Sequence, residues 1–157
     1  MKHTISVLVE NKPGVLARIS GLFSARGFNI DSLAVGETED PDVSRMTIVA
    51  DAKDERILEQ IIKQLRRLID TISVVDLTKK DFVERELVLI KINYAVSTKA
   101  RLSSLIHKYP AKIIETETNS AIVEICASSD EVRELIEKLK PFGVKELMRT
   151  GKVAMAK

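Results

Sequence analysis

The pattern of apolar residues repeats along the chain, and this repeat constrains the fold more than any other feature. In residues 3–10, "HTISVLVE", β-branched residues alternate with polar ones, which is typical of a strand. The next segment predicts a helix that ends at Gly27, because its apolar residues fall on one face: Val15, Leu16, Ile19, Leu22 and Phe23. Two predicted strands, "NIDSLAVGE" and "VSRMTIVA", flank the polar turn "TEDPD". A second one-faced helix, from Ile57 to Leu68, and the strand "TISVVDL" complete the order β-α-β-β-α-β.

The same order recurs after the charged segment "TKKDFVER". The pattern predicts a strand in "ELVLIKIN", a helix in "TKARLSSLIHKY", and two strands, "AKIIETET" and "SAIVEICA", joined by a turn at Asn119 and Ser120. The helix "DEVRELIEKLKPF" begins with a capping box formed by Ser128 and Glu131, and the strand "VKELMRT" follows it. We expect the last segment, "GKVAMAK", to be a frayed end.

Two copies of one topology predict an α+β protein built from two tandem ferredoxin-like βαββαβ units. Each unit is expected to be an antiparallel four-stranded sheet with both helices on one face. We place the boundary near Thr78, which gives one domain at residues 1–78 and a second at residues 79–157. The sheets expose edges and one open face, which suits pairing with another copy of the chain.

Charge and hydropathy exclude several classes of partner. The 25 Lys and Arg residues nearly balance the 23 Asp and Glu residues, and no basic block occurs. There is therefore no electrostatic case for binding nucleic acid or an anionic membrane. The N-terminal "MKHTISVLVE" lacks the pattern of a signal peptide, and no apolar run approaches membrane-spanning length. We expect a cytoplasmic protein.

Candidate catalytic and metal-ligating residues are few. Cys126 is the only cysteine, and its strand-like surroundings favour a buried, inert thiol over a nucleophile. His3 and His107 are far apart in sequence, and neither has a histidine or an acid at ligand spacing on the same helix. The sequence predicts no active site, no metal site and no cofactor of its own.

The segment "ENKPG", residues 10–14, lies where the first strand turns into the first helix. The first N–H groups of a helix lack partners and carry the positive end of its dipole, so a carboxylate or phosphate fits there. Gly14 has no Cβ that would keep an anion at a distance. Pro13 has no N–H, but an N–H at this position would have no partner within the helix anyway. Asn11 either caps the helix or turns its amide toward a ligand. Taken alone, the segment is equally compatible with an ordinary helix start.

The surroundings of this segment resemble a known family. The stretch "SVLVENKPGVLARISGLFSARGFNIDSL" looks like the start of an ACT domain, a module that binds amino acids. More narrowly, "ENKPGVLARISGLFSARGFNIDSLAVGETED" followed by "SRMTIV" resembles the regulatory small subunit of acetohydroxyacid synthase, also called acetolactate synthase. The resemblance continues through "QLRRLIDTISVVDLT" and "FVERELVLIKI" into the second unit.

The resemblance implies a non-catalytic subunit that activates a separate thiamine-diphosphate-dependent large subunit, in which the transferase activity resides. It also implies feedback inhibition by a branched-chain amino acid, usually valine, at the start of valine, leucine and isoleucine synthesis. The sequence does not distinguish these three effectors, since all need a similar aliphatic lining.

The resemblance further implies an effector site between the ACT domains of a homodimer. One protomer is expected to contribute its strand-to-helix loop and the other its second strand, which gives the residues Asn11, Gly14, Val15, Leu16, Asn29 and Ile30. Backbone N–H groups at Gly14 and Val15 would bind the carboxylate, the amides of Asn11 or Asn29 the ammonium, and Leu16 and Ile30 the side chain. Leu16 and Ile30 are equally compatible with core positions.

The second unit lacks the Pro and Gly of this loop, having "NYAVSTKARLSSL" in the corresponding place, so we expect no second effector site. Its expected role is dimerisation or contact with the catalytic subunit. The helix in "TKARLSSLIHKY" either presents Lys99, Arg101 and His107 to a partner or is simply a solvated face.

Other classes of function remain as alternatives. An amino-acid-sensing ACT regulator of another enzyme fits the same site. A regulator of transcription would need a helix-turn-helix or a basic stripe, and neither is present. An RNA-binding unit of this topology would carry exposed aromatic residues on its central strands, and "HTISVLVE" and "SRMTIVA" have none.

Overall fold

The computed structural model describes residues 2–51 and 54–157. The chain divides into two compact units, one made of Met1–Val83 with Lys152–Lys157 and the other of Glu84–Gly151. The predicted boundary at Thr78 lies shortly before the point where the chain leaves the first unit, and the last residues return to that unit.

The first unit has the β-α-β-β-α-β order expected from the sequence. Its elements are β1 (Lys2–Glu10), α1 (Val15–Ser24), β2 (Ile30–Glu37), β3 (Val43–Asp51), α2 (Glu55–Leu65) and β4 (Thr71–Asp76). The strands form an antiparallel sheet in the order β2-β3-β1-β4. Apolar residues of β1 and β3 pack with those of both helices in one buried cluster, which includes Ile5, Val7, Ile19, Phe23, Ile48, Leu58 and Ile61.

The second unit repeats this topology. Its elements are β5 (Phe82–Asn93), α3 (Lys99–Ile106), β6 (Ala111–Thr116), β7 (Ser120–Ala127), α4 (Ser129–Leu139) and β8 (Val144–Arg149). The sheet order is β6-β7-β5-β8, and short 3-10 helices precede α3 and follow α4. The predicted capping box at the start of α4 is confirmed, because Ser128 and Glu131 exchange their hydrogen bonds there. The predicted fold class is confirmed for both units.

The prediction of a frayed C-terminus was wrong. Residues Val153–Ala156 form a ninth strand, β9, which pairs with β5, so the second sheet has five strands. The N–H of Lys152 donates to Oγ of Ser32 at 2.8 Å, and the N–H of Ala154 donates to Oγ1 of Thr47 at 3.3 Å. Thr47 lies between core residues of β3 and therefore points to the sheet face opposite the helices, where it is buried. The C-terminal segment thus packs on the first unit.

The prediction of a buried Cys126 was also wrong. Cys126 is exposed, and it pairs with Leu87 on β5, which is exposed as well. The helices cover one face of the second sheet, so every second residue along β5 and β7 faces away from the core.

Candidate functional site

The loop between β1 and α1 contains the predicted anion site, and its shape depends on Gly14. Gly14 is the residue before α1, and its φ of +85° lies in the left-handed region that favours glycine. No side chain among residues 2–51 and 54–157 caps the helix, and its first turn contains no acidic residue. The helical hydrogen bonds begin with Arg18 N–H donating to the Gly14 carbonyl at 3.0 Å, so the preceding N–H groups have no partner within the helix.

One of the two predicted backbone donors is partly engaged. The N–H of Val15 makes a long contact of 3.4 Å with the carbonyl of Lys12. The donors that follow, at Leu16 and Ala17, belong to the open first turn of α1. The N–H groups that lack a partner within the helix therefore extend further into α1 than the sequence predicted.

Asn11 does not cap the helix. Its Nδ2 donates to the carbonyl of Pro41 at 2.8 Å and to Oε1 of Glu37 at 3.3 Å, while its N–H donates to the carbonyl of Asp42 at 2.7 Å. Because both side-chain partners are acceptors, the amide nitrogen faces the β2–β3 turn and the amide oxygen is left to accept a bond from elsewhere. Asn11 thus fixes the loop against that turn and keeps one acceptor available.

A cation that the sequence did not predict lies over this loop. Arg18 donates from Nε and Nη2 to Oδ2 of Asp70, at 2.9 and 2.5 Å. Its third nitrogen, Nη1, lies 3.1 Å from the point that a Cβ on Gly14 would occupy. Asp70 is only 8% exposed, and its carbonyl accepts from the N–H of Glu10, so the acid is anchored at the end of β1. Asp70 therefore holds the guanidinium beside the open helix end.

A second cation lies on the same loop. Lys12 pairs with Glu10 at 2.7 Å, and the hydrogen bond and the charge of Glu10 raise the pKa of Lys12. Both charges of this pair are solvated, so it adds little to stability. Lys12 and Arg18 thus place two cations beside the loop, each of them paired with an acid.

The two residues of the predicted apolar lining, Leu16 and Ile30, differ in exposure. Val15, which was predicted to contribute only its N–H, has its side chain buried in the core of the first unit. Leu16, next to it, is 43% exposed, and Ile30 is half-buried against the core. Leu16 is therefore the apolar residue of this loop that a ligand could contact.

Asn29 and Ile30 lie at the other end of the sheet from the loop. Glu10, just before the loop, pairs with Val43, whereas Ile30 pairs with Ala50. At about 3.4 Å per residue, these two positions on β3 are roughly 24 Å apart. Asn29 is exposed and donates from Nδ2 to Asp31 at 2.6 Å. One protomer therefore brings together Asn11, Gly14 and Leu16 but does not bring Asn29 and Ile30 to them.

No group of His, Cys, Asp or Glu residues in 2–51 and 54–157 could hold a metal ion. Over the same residues, no helix is long and apolar enough to cross a membrane.

Comparisons with known proteins cover nearly the whole chain. A family model described as the AHAS small subunit-like ACT domain matches residues 5–73, and a model described as the small subunit of acetolactate synthase matches residues 85–157. The probable acetolactate synthase small subunit of Archaeoglobus fulgidus is 50% identical over 157 residues, covering 100% of this chain and 98% of that protein. The acetolactate synthase small subunit of Bacillus subtilis is 42% identical, covering 100% and 91%.

A solved structure agrees with these sequence matches. The crystal structure of the acetolactate synthase small subunit from Thermotoga maritima is similar with a TM-score of 0.89 and 38% identity. The match covers 100% of this chain and 98% of that chain. The similarity therefore extends over both units.

Proposed function

The chain belongs to the family of acetolactate synthase small subunits and is a regulatory subunit; from this we propose that it activates a catalytic large subunit and confers feedback inhibition by valine. The catalytic subunit depends on thiamine diphosphate and carries the transferase activity. The complex acts in the cytoplasm, at the start of branched-chain amino acid synthesis. In this proposal the chain contributes an effector site and no catalytic residue.

The observation that carries the proposal is the guanidinium that Asp70 holds beside Gly14. A free amino acid needs an anion site for its carboxylate, an acceptor for its ammonium and a surface for its side chain. The first turn of α1 and Nη1 of Arg18 supply the anion site, since both carry positive charge. The amide oxygen of Asn11 supplies the acceptor, and exposed Leu16 supplies an apolar contact.

The site is completed by a second protomer. Because Asn29 and Ile30 lie roughly 24 Å from the loop along β3, they reach a ligand at this loop only from another copy of the chain. We therefore place the effector between the first units of a homodimer. This arrangement is isologous, so each dimer has two equivalent sites. The choice of valine over leucine or isoleucine rests on the family, since Leu16 and Ile30 offer all three a similar lining.

Reconstitution tests this function. The chain is mixed with the large subunit from the same organism, and acetolactate formation is measured with and without valine, leucine and isoleucine. We expect the chain to raise the rate and valine to lower it again. An ACT regulator of another enzyme or of transcription would bind an amino acid and leave acetolactate formation unchanged, and that result would refute the proposal.

A further inference from the structure

Acidic residues are missing from a long part of the second unit. Between Glu86 and Glu115 the sequence contains no Asp or Glu, while it contains the cations Lys91, Lys99, Arg101, Lys108 and Lys112. The chain as a whole is nearly balanced, with 25 basic and 23 acidic residues. The helix α3 lies inside this stretch and is therefore cationic without any acid of its own.

Beside α3 lies an open groove, which we call the basic groove. Its volume is about 450 Å³, its floor is Leu105, Pro141 and Phe142, and its rim is Arg101, Lys108 and Lys138. Leu105 and Phe142 pack against the core of the second unit, so the floor is fixed. The guanidinium of Arg101 lies over the ring of Phe142, 5.1 Å from its centre, which holds this charge at the edge of the apolar floor.

Two acids of α4, Glu134 and Glu137, precede the rim residue Lys138 and are already engaged. Glu134 accepts from the hydroxyl of Tyr109 at 2.8 Å and pairs with Lys138 at 3.4 Å, and Glu137 pairs with Lys140. Within residues 2–51 and 54–157, Arg101 and Lys108 take part in no ion pair. The groove therefore presents an apolar floor between two cations whose charge is not neutralised.

We propose that the basic groove binds an acidic segment of the catalytic subunit, with a large apolar side chain of that segment seated between its acidic residues. The apolar side chain contacts the floor, and its neighbouring carboxylates pair with Arg101 and Lys108. Charge complementarity selects an acidic partner, and the floor of Leu105, Pro141 and Phe142 selects a peptide over a nucleic acid backbone. This inference rests on the proposed function for the existence of the partner, and it assigns a docking role to the second unit.

The test uses the full chain and the immobilised catalytic subunit. Arg101→Glu/Lys108→Glu reverses the two free charges of the groove. The control, Lys112→Glu/Arg133→Glu, makes the same change of net charge at two exposed positions of the second unit outside the groove. A third variant, Ser104→Trp, fills the groove from an exposed position without changing any charge.

We expect the groove variant and Ser104→Trp to bind the catalytic subunit at least tenfold more weakly, and the control to stay within about threefold of wild type. Affinity of the wild type should fall with salt more steeply than that of the groove variant. Calorimetric titration with valine should be the same for all variants, since the groove lies outside the effector site.

The outcomes separate the two proposals. If the groove variant binds like wild type, or if the control weakens binding as much, the groove is not the docking site, although the chain still acts as a regulatory subunit. If light scattering shows that the groove variant loses self-association while it keeps the catalytic subunit, the occupant is a second copy and the inference is wrong. If wild type does not bind the catalytic subunit at all, the proposed function fails together with the inference.

Discussion

Arg18 and Asp70 form an ion pair in which two guanidinium nitrogens donate to the same carboxylate oxygen. Asp70 is buried and Arg18 is half-exposed, so the acid fixes the position of the guanidinium while part of Arg18 stays accessible from solvent. A buried carboxylate without a partner is costly, which makes this geometry persistent. The remaining nitrogen of Arg18 is left beside Gly14, where we place the carboxylate of an amino acid.

Replacing Arg18 by Lys should weaken valine binding without unfolding the chain. Lysine keeps a positive charge next to Asp70, but one ammonium cannot bridge that acid and a bound carboxylate as the planar guanidinium does. Loss of one charge-assisted hydrogen bond of about 1.5–3 kcal/mol corresponds to tenfold weaker binding or more. Calorimetry measures the affinity, and Arg26→Lys near the end of α1 is the matched control. Unchanged affinity in Arg18→Lys would exclude Arg18 from the site.

Replacing Gly14 by Asp should remove inhibition by valine while activation remains. The new carboxylate would lie beside Nη1 of Arg18, in the place of the effector's carboxylate. Two like charges about 4 Å apart repel by roughly 1–4 kcal/mol at effective dielectric constants of 80 to 20. Acetolactate formation is measured with the catalytic subunit, with and without valine.

The φ of +85° at Gly14 makes a control necessary, because any Cβ there costs about 1–2 kcal/mol of backbone strain. Gly14→Ala introduces that strain without the charge, so it should remain inhibited by valine at a somewhat higher concentration. If Gly14→Ala and Gly14→Asp respond to valine alike, strain explains the effect and the charge argument is wrong. If Gly14→Asp loses activation while its circular dichroism is normal, the loop contacts the catalytic subunit.

The stability of the C-terminal strand β9 should depend on its hydrogen bond to the hydroxyl of Thr47. Thr47→Val leaves the buried N–H of Ala154 without its acceptor, at a cost of about 1–3 kcal/mol. We expect roughly fivefold to hundredfold faster hydrogen exchange at Ala154. Thr71→Val is the control, since the buried hydroxyl of Thr71 has no partner among the described residues. In a chain that lacks residues 152–157, Thr47→Val should no longer destabilise the first unit. If the substitution still lowered the free energy of unfolding in that chain, the hydroxyl of Thr47 would not act through the C-terminal strand.

Glu131 should make the second unit sensitive to acid. Its hydrogen bonds from the side chain and the backbone of Ser128 lower its pKa. A lowered pKa gives stability that is complete above the unfolded-state pKa, about 4.3, and is lost as the pH falls through the folded-state pKa. Urea midpoints of wild type and Glu131→Gln should therefore differ at pH 6, and the difference should shrink as the pH falls below about 4.3 through the lowered pKa of Glu131.

Tyrosine fluorescence reports this unfolding selectively, since the chain has no tryptophan and both tyrosines, Tyr94 and Tyr109, lie in the second unit. If the difference in urea midpoint between wild type and Glu131→Gln stayed constant from pH 6 to pH 3, the charge of Glu131 would not contribute to the stability of the second unit.

The order of elements was predictable because local patterns determine it. Alternation in β1, the one-faced helices and the capping box at Ser128 are each read within a short window. The C-terminal segment was not predictable in this way, since Lys152 and Ala154 donate to Ser32 and Thr47, which are more than a hundred residues away. Exposure of Cys126 likewise depends on which sheet face the helices cover.

The candidate site was predictable only in part. The loop residues Asn11 and Gly14 were identified from their chemistry, whereas Arg18 was read only as part of a helix. Its partner Asp70 follows α2, and no local pattern links the two residues. Nor does the sequence give the φ of Gly14, which decides how the Gly14→Asp experiment must be controlled.

In the proposed homodimer two protomers share each effector site, and subunit complementation distinguishes this arrangement from a site within one protomer. Asn11→Ala and Asn29→Ala should each abolish valine binding in a homodimer, since every site then lacks one residue. When the two variants are co-expressed, random pairing makes half of the dimers mixed, and each mixed dimer has one site with both residues intact. Calorimetry should then recover about a quarter of the wild-type valine sites. No recovery in the mixture, or no valine binding by wild type itself, would contradict the shared site.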